Sequence, residues 1–208
     1  MNQPDQEIEV KFYLLRLAAL EKRIQAAGGI LAQTRVHEVN LRFDLPDGSL
    51  TADHRVLRLR QDVRSVLTYK GPSAAGQVVN MRQEIETDVS DFAAARRILE
   101  ALGYQVTVMY EKWRTTYQLE NLEIVLDELP YGDFCEIEGP DAESIRSTAG
   151  LLRLDWGARI TDSYLGMFGR LKANLGLTAE HLDFASFASL KIRPDDLGAV
   201  YADKGSRG

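Results

Sequence analysis

Polar and apolar residues alternate over residues 7–13. Ile8, Val10 and Phe12 fall on one side of the chain, and mainly charged residues fall on the other. A period of two indicates a β-strand, because successive side chains of a strand point to opposite faces. The same reasoning predicts further strands over residues 37–44, 55–62, 65–70, 78–89, 105–109, 112–119, 122–128 and 133–138.

Four other segments have helical spacing. Over residues 14–27, Leu17, Leu20 and Ile24 continue one apolar stripe, and a glycine pair follows it, as is common past a helix C-terminus. Helices are also predicted over residues 92–102, 141–154 and 162–175. Strands follow one another without the regular strand–helix alternation of a parallel sheet. The fold class is therefore α+β, with an antiparallel sheet or barrel and flanking helices.

The length of 208 residues suits one domain with a short appendage. We expect residues 1–170 to form the domain. Residues 171–208 are then a tail that packs back on it, with loose final residues.

The polar faces of the predicted strands are almost purely ionic. Glu7, Glu9 and Lys11 share one face, and each of the other strands tends toward one sign of charge. One interpretation is a solvated sheet face with weak cross-strand ion pairs. The other is a closed barrel with an ionic interior and helices packed on its outside. The barrel also explains why the opposite strand faces are apolar and why acids and bases are segregated by strand.

Such a lining suits a ligand with two kinds of chemistry. Arginine and lysine side chains suit phosphate oxygens. Carboxylates suit Mg²⁺ or Mn²⁺ and do not suit zinc. A phosphate chain with bound divalent cations would satisfy both sets of residues.

Composition narrows the other possibilities. The formal net charge is −6 and the sequence pI is about 5.2, which disfavours nucleic acid as the main partner because phosphate neutralisation needs excess basic residues. The one cysteine, Cys135, excludes an intramolecular disulfide and any multi-cysteine metal site. The sequence has no apolar run of membrane-spanning length and no signal-peptide pattern. We therefore expect a cytoplasmic protein that does not associate with membranes.

The charged segments resemble the CYTH superfamily, also called triphosphate tunnel metalloenzymes. Residues 7–11 read Glu-Ile-Glu-Val-Lys, similar to the ExExK signature of that family. Further resemblances follow in order at residues 57–60, 67–72, 82–86, 111–114, 127, 132–139 and 163–164. ExExK alone would be weak, but the ordered series is specific and covers residues 7 to about 170.

The resemblance implies a closed eight-stranded antiparallel barrel, or tunnel, that binds a triphosphate-bearing small molecule with Mg²⁺ or Mn²⁺. The implied metal ligands are Glu7, Glu9, Asp127, Glu136 and Glu138. The implied substrate-binding residues are Lys11, Arg58, Arg60, Lys70, Arg82, Lys112 and Arg114. The implied catalytic residues are Lys11, Glu84 and Glu86.

The predicted activity is metal-dependent hydrolysis of inorganic triphosphate, thiamine triphosphate or a nucleoside triphosphate. A class IV adenylate cyclase, which forms cyclic AMP and pyrophosphate, is the first alternative. A non-catalytic polyphosphate- or nucleotide-binding module is the second. The protein is expected to be a monomer or a homodimer.

One position departs from the family pattern. Some hydrolases of the family carry a tyrosine where this chain has Arg42, and there it pairs with the ExExK lysine. This departure speaks against a lysine–tyrosine pair that activates water. It does not disturb phosphate binding, because Arg42 can add a phosphate contact.

We predict that Glu9→Gln abolishes metal-dependent turnover, since it removes a charged oxygen ligand while preserving side-chain shape. The measurement is phosphate release from inorganic triphosphate with Mg²⁺ or Mn²⁺. Wild-type activity in this variant would refute the metal assignment.

Overall fold

Eight antiparallel strands close into a ring in the computed structural model, which describes residues 6–72 and 78–204. Around the ring the order is β5-β4-β3-β2-β6-β7-β8-β1, and β1 pairs with β5 to complete it. The strands are β1 (Gln6–Leu14), β2 (Ile30–Asp44), β3 (Val56–Gln61), β4 (Ser65–Lys70), β5 (Asn80–Val89), β6 (Gln105–Leu119), β7 (Leu122–Leu129), β8 (Gly132–Glu138) and the short β9 (Arg159–Ile160), which pairs with β1.

Within the described residues, seven α-helices accompany the ring, together with a 3₁₀ helix at Trp156–Ala158. The α-helices are α1 (Leu17–Ala26), α2 (Ser49–Ala52), α3 (Phe92–Ala101), α4 (Ala142–Leu151), α5 (Tyr164–Leu175), α6 (Phe184–Phe187) and α7 (Pro194–Leu197). None of the helices within the described residues is long and apolar enough to cross a membrane.

The predicted fold class, a closed eight-stranded antiparallel barrel with helices outside it, is confirmed as a closed ring. Two strand boundaries were predicted wrongly. β2 begins at Ile30 rather than at residue 37, and β6 runs unbroken through Tyr110 and Glu111. Tyr110 stays in phase with Lys112, so the alternation continues through the predicted gap between the two strands.

The predicted division at residue 170 falls inside α5, and it stays a prediction. The expected loose end of the tail lies outside the described residues.

Apolar packing holds the helices on the outer face of the ring. α1 and α4 bury Leu20, Ile24 and Ile145 against the apolar faces of β1, β7 and β8. On another part of the wall, Leu99 of α3 packs with Leu59 and its neighbours on β2 and β3. The strand faces opposite the charged residues are thus covered by helices, as their sequence pattern indicates.

A third apolar cluster lies on the inner face of the ring. Tyr13, Phe134 and Tyr110 are on the same strand faces as Lys11, Glu136 and Lys112, and they pack with residues of the chain from α5 to Ala199. The C-terminal segment therefore covers part of the ring interior, and the charged residues surround the remaining space.

The C-terminal segment is also tied to the first strand. The Asp203 carboxylate accepts hydrogen bonds from the backbone N–H groups of Leu15 at 2.7 Å and Arg16 at 2.8 Å. These groups lie just before α1, where backbone donors have no partner within the helix. Asp203 thus joins the end of β1 to the end of the described chain.

We predict that Gly132→Ala destabilises the protein by about 2–4 kcal/mol, from backbone strain and overpacking together. Gly132 has a φ of +136°, and a Cβ atom there would lie 2.6 Å from Cε2 of Tyr13. Urea denaturation gives the free energy of unfolding. Gly150→Ala in α4 is the matched control, because its Cβ would meet nothing within 4 Å. An unchanged stability for Gly132→Ala would contradict this packing of Tyr13.

Candidate active site

The ring encloses a cavity of about 1060 Å³ whose walls are mostly charged. It brings together nearly all of the sequence-predicted site residues. The predicted residues that line it are Glu7, Glu9, Lys11, Arg58, Arg60, Lys70, Arg82, Glu84, Glu86, Lys112, Arg114, Glu136 and Glu138.

Asp127 is the predicted residue that does not line this cavity. Its side chain is fully buried and is held by Lys112 at 2.9 Å and by two hydrogen bonds from Arg114 at 2.7 and 2.6 Å. The Tyr164 hydroxyl also donates to Asp127, at 2.9 Å. Its predicted role as a metal ligand stays a prediction, and the geometry favours a role in holding the two bases in place.

A chain of ion pairs links β6, β8 and β1 across the cavity wall. Arg114 contacts Glu136 at 2.6 Å, Glu136 contacts Lys11 at 3.3 Å, and Lys11 also pairs with Glu9. Burial opposes the charge on Glu136, but Lys11 and Arg114 hold the pKa of this carboxyl well below its usual range. Burial likewise opposes the charge on Lys11, and Glu9 and Glu136 raise its pKa. Both groups are therefore charged at neutral pH.

A second network joins β1, β4 and β5. Lys70 contacts Glu7 at 2.6 Å and Glu84 at 2.9 Å, and Arg82 contacts Glu7 at 3.2 Å. Against the effect of burial, Lys70 and Arg82 lower the pKa of Glu7 to about 2. Burial and the neighbouring Glu7 raise the pKa of Glu84 to about 7. The two carboxylates therefore differ in their readiness to take up a proton.

Arg58 and Glu86 meet on neighbouring parts of the wall. The Thr68 hydroxyl donates a hydrogen bond to Glu86 at 2.6 Å, and the Nη2 atom of Arg58 lies 3.3 Å from the same carboxylate oxygen. Burial works against ionisation of Glu86, but Thr68 and Arg58 lower its pKa. This arrangement holds Arg58 beside the cavity.

The sequence interpretation missed three cavity residues that have structural roles. Glu38 is buried near Lys112, Arg114 and Arg60, and these bases lower its pKa to about 2 against the effect of burial. The alternation of Glu38, Asn40 and Arg42 along β2 could have placed Glu38 on the ionic face from sequence alone. The other two are Tyr110, hidden by the wrongly predicted break in β6, and Tyr164, which was noted within a motif but given no role.

Three acids occupy directly paired positions on adjacent strands. Glu9 pairs with Glu138, and Glu138 pairs with Glu123. Partial desolvation and the charges of Glu7 and Glu123 raise the pKa of Glu138 to about 8. Crowded carboxylates of this kind would gain from a bound cation. Within residues 6–72 and 78–204, however, no three acidic, histidine or cysteine side chains are already arranged as a metal site.

The basic wall carries donors without partners. Among the described residues, the buried Nε atoms of Arg42 and Arg58 have no hydrogen-bond partner, and both side chains line the cavity. Unpaired buried donors cost free energy. The wall is therefore suited to an anion with several acceptor oxygens.

These features match the residue pattern of a known family, and the family profile for the CYTH domain fits residues 5–146. The chain belongs to the CYTH domain family. Members of this family are triphosphatases or adenylate cyclases that depend on a divalent metal. Among curated proteins, none gives a significant match to this chain.

Solved structures share the fold. A Vibrio parahaemolyticus protein, proposed to be an adenylate cyclase, has 22% identity and a TM-score of 0.73, over 80% of this chain and 99% of that one. A Pyrococcus horikoshii protein has 25% identity and a TM-score of 0.65, over 76% and 97% of the two chains. A Hippeastrum protein, a proposed adenylyl cyclase with dominant triphosphatase activity, has 21% identity and a TM-score of 0.56, over 93% and 100%. At this level of identity they establish the CYTH tunnel fold.

We predict that Glu138→Gln stabilises the metal-free CYTH domain at alkaline pH. The pKa of Glu138 rises from its ordinary 4.5 to about 8 in the folded protein, so the native state holds this proton more tightly than the unfolded state. Wild-type stability is therefore lost as the pH rises from the lower value through the higher one. Glutamine cannot ionise and avoids this loss.

The measurement is the melting temperature in a metal chelator at about pH 9 and about pH 4, on either side of both pKa values. The gain should appear at the higher pH and vanish at the lower one. Glu143→Gln, on the outer helix α4, serves as the control. Equal melting temperatures of wild type and Glu138→Gln at both pH values would contradict the acidic crowding.

Proposed function

We propose that this CYTH domain is a divalent-metal-dependent hydrolase that cleaves a phosphoanhydride bond of a triphosphate inside the tunnel. The observation that supports this most directly is the pairing of two walls around one cavity. Acids of β1, β5 and β8 are brought together with arginines and lysines of β2, β3, β4 and β6. Phosphoryl transfer depends mainly on positioning and charge stabilisation, and such a lining can provide both.

The basic wall would bind the phosphate oxygens. Arg58 and Arg60 present guanidinium groups to the cavity, and guanidinium groups can bind phosphate oxygens in a bidentate manner. Lys11, Lys70, Arg82, Lys112 and Arg114 are already fixed by acids. They are therefore oriented before substrate arrives, and they can stabilise negative charge that develops on the leaving phosphate.

The acidic wall has the donor set for Mg²⁺ or Mn²⁺. Glu9 and Glu138 are directly paired on β1 and β8, and they would hold the metal together with oxygens of the substrate, because Mg²⁺ commonly binds only one or two carboxylates. Glu7, Glu136 and Asp127 are further predicted ligands, and they contact basic side chains in this structure, as Glu9 contacts Lys11. When bound, the metal would neutralise phosphate charge and act as a Lewis acid.

Glu84 is suited to move the proton of the attacking water. The pKa of about 7 lets this carboxylate accept a proton near neutral pH. Lys70 contacts it at 2.9 Å and fixes its position. Glu86 instead has a lowered pKa, so its proposed part is to hold Arg58.

The cavity lining favours hydrolysis over a reaction that needs a bound base. In the described part of the chain, its aromatic side chains are Tyr110, Tyr164 and His54. Both tyrosines are buried, and the Tyr164 hydroxyl is bonded to Asp127. The wall thus offers little exposed ring surface on which an adenine could stack, whereas phosphate-binding groups are abundant.

The deciding experiment incubates the protein with inorganic triphosphate, thiamine triphosphate and ATP, each with Mg²⁺ or Mn²⁺. We expect orthophosphate as a product and no turnover in a chelator. Chromatography would separate orthophosphate from pyrophosphate and cyclic AMP. Cyclic AMP as the main product would establish the cyclase, and tight triphosphate binding without any turnover would establish a binding module.

Glu84→Gln should lower kcat for the preferred substrate by about 10²-fold or more, since it removes the proton acceptor. Glu100→Gln, on the exposed surface of α3, is the matched control and should leave kcat unchanged. An unaltered kcat in Glu84→Gln would exclude this carboxylate as the base.

A further inference from the structure

A fully buried asparagine lies in the basic wall without any hydrogen-bond partner. Asn40 has 0% exposure, and within the described residues neither Nδ2 nor Oδ1 of its side chain is bonded. It is paired across β2 with Arg60 on one side and Tyr110 on the other. Buried amides are rarely left unbonded in native proteins. This one lies between two residues that line the cavity.

Arg42, the next residue on the same face of β2, is also unsatisfied. It lines the cavity, is paired with Arg58 across the strands, and has an unbonded buried Nε atom. Burial, and then the charges of Arg58 and Arg82, lower the pKa of Arg42. Holding this cation beside other cations is unfavourable, and a bound anion would remove the cost.

Tyr110 supplies a neutral donor at the same place. Its side chain is buried, lines the cavity, and interacts electrostatically with Arg58. A guanidinium can only donate, so a hydrogen bond from Arg58 would use the phenol oxygen as an acceptor and leave the phenol proton available. Arg58 and Lys112 lower the pKa of Tyr110 against the effect of burial, which makes its proton a stronger hydrogen-bond donor.

We propose that Arg42 and Tyr110 form an additional anion subsite of the tunnel that receives one phosphoryl group of the phosphate chain. The subsite contributes a guanidinium and a phenol, whereas the neighbouring Asn40 is fully buried and does not itself line the cavity. The subsite continues the row of Arg58 and Arg60, so a phosphate chain held by those arginines can extend into it. The proposal rests on the proposed function because it takes the ligand to be a triphosphate. It requires that the tunnel binds this ligand, but it does not require hydrolysis.

The subsite also gives a physical reason for the arginine at position 42. A tyrosine there would add a second phenol next to Tyr110, whereas arginine adds charge. Together the two residues supply one phenol on β6 and one cation on β2. Their shared consequence is tighter binding of the phosphate chain, independent of any organic group attached to it.

The test is calorimetric titration of inorganic triphosphate in a metal chelator, so that no hydrolysis occurs. Tyr110→Phe removes only the hydroxyl and should weaken binding about tenfold, the effect of one hydrogen bond to a charged group. Arg42→Gln should weaken binding by about tenfold or more. Binding within twofold of wild type in both variants would overturn the subsite.

Two matched controls separate the subsite from general effects. Tyr69→Phe makes the same chemical change on the outer face of β4, and Arg64→Gln removes a cavity-lining charge that is paired with Asp88. Both should bind triphosphate within twofold of wild type. If Arg64→Gln weakens binding as much as Arg42→Gln does, and Tyr110→Phe does not, long-range charge explains the effect and the subsite is refuted.

Thermal unfolding checks that each variant is folded. If Tyr110→Phe does not fold, the triphosphate affinity of Arg42→Gln alone tests the subsite. Wild-type protein that binds triphosphate with the expected variant losses, yet hydrolyses neither it nor thiamine triphosphate nor ATP with any metal, supports the subsite and refutes the proposed hydrolase. Hydrolysis by wild type with unchanged binding in the variants refutes only the subsite. No binding of triphosphate by wild type refutes both.

Discussion

Mutual neutralisation of buried charges is the constraint on which the tunnel depends. Asp127, which has no exposed surface, is held by Lys112, Arg114 and Tyr164, and Arg114 continues the network to Glu136. Removing an ionised group from water is costly, so each of these charges persists only because its partners are in place. The ring brings the partners together from strands that are distant in sequence. The ion pairs that shape the binding wall therefore also stabilise the ring.

Apolar packing on both the outer and the inner face of the ring supports these ion pairs. α1, α3 and α4 cover the outer faces of the strands, which leaves the inner faces free to carry charge. The aromatic cluster around Phe134 and Tyr164 fills part of the interior and limits the cavity to the space that the ionic residues surround. Lys11 and Lys112 lie 5.5 and 5.3 Å from the centre of the Tyr164 ring. The Tyr164 side chain therefore connects the apolar cluster to the proposed phosphate-binding lysines.

Much of the molecule could be read from the sequence, because alternation along a strand fixes which side chains share a face. The face shared by Glu7, Glu9 and Lys11 therefore predicted a lining before any fold was known. Alternation within one strand cannot tell which strands become neighbours, so the pairing of Arg114 with Asp127 and Glu136 required the structure. The role of Asp127 shows the limit most clearly. A carboxylate that holds bases and a carboxylate that holds a metal look the same in sequence, and only their surroundings distinguish them.

The contact of Asp203 with Leu15 and Arg16 has a consequence for how the chain folds. It spans 188 and 187 positions of sequence, and β1 otherwise pairs with β5, β8 and β9, all of which follow it in the chain. During synthesis β1 emerges long before any of these partners, so at least one of its edges stays unpaired until translation has passed β8. Closing such long loops is entropically unfavourable and slows folding. Ring closure is therefore a late event, and until then β1 is exposed to pairing with other chains.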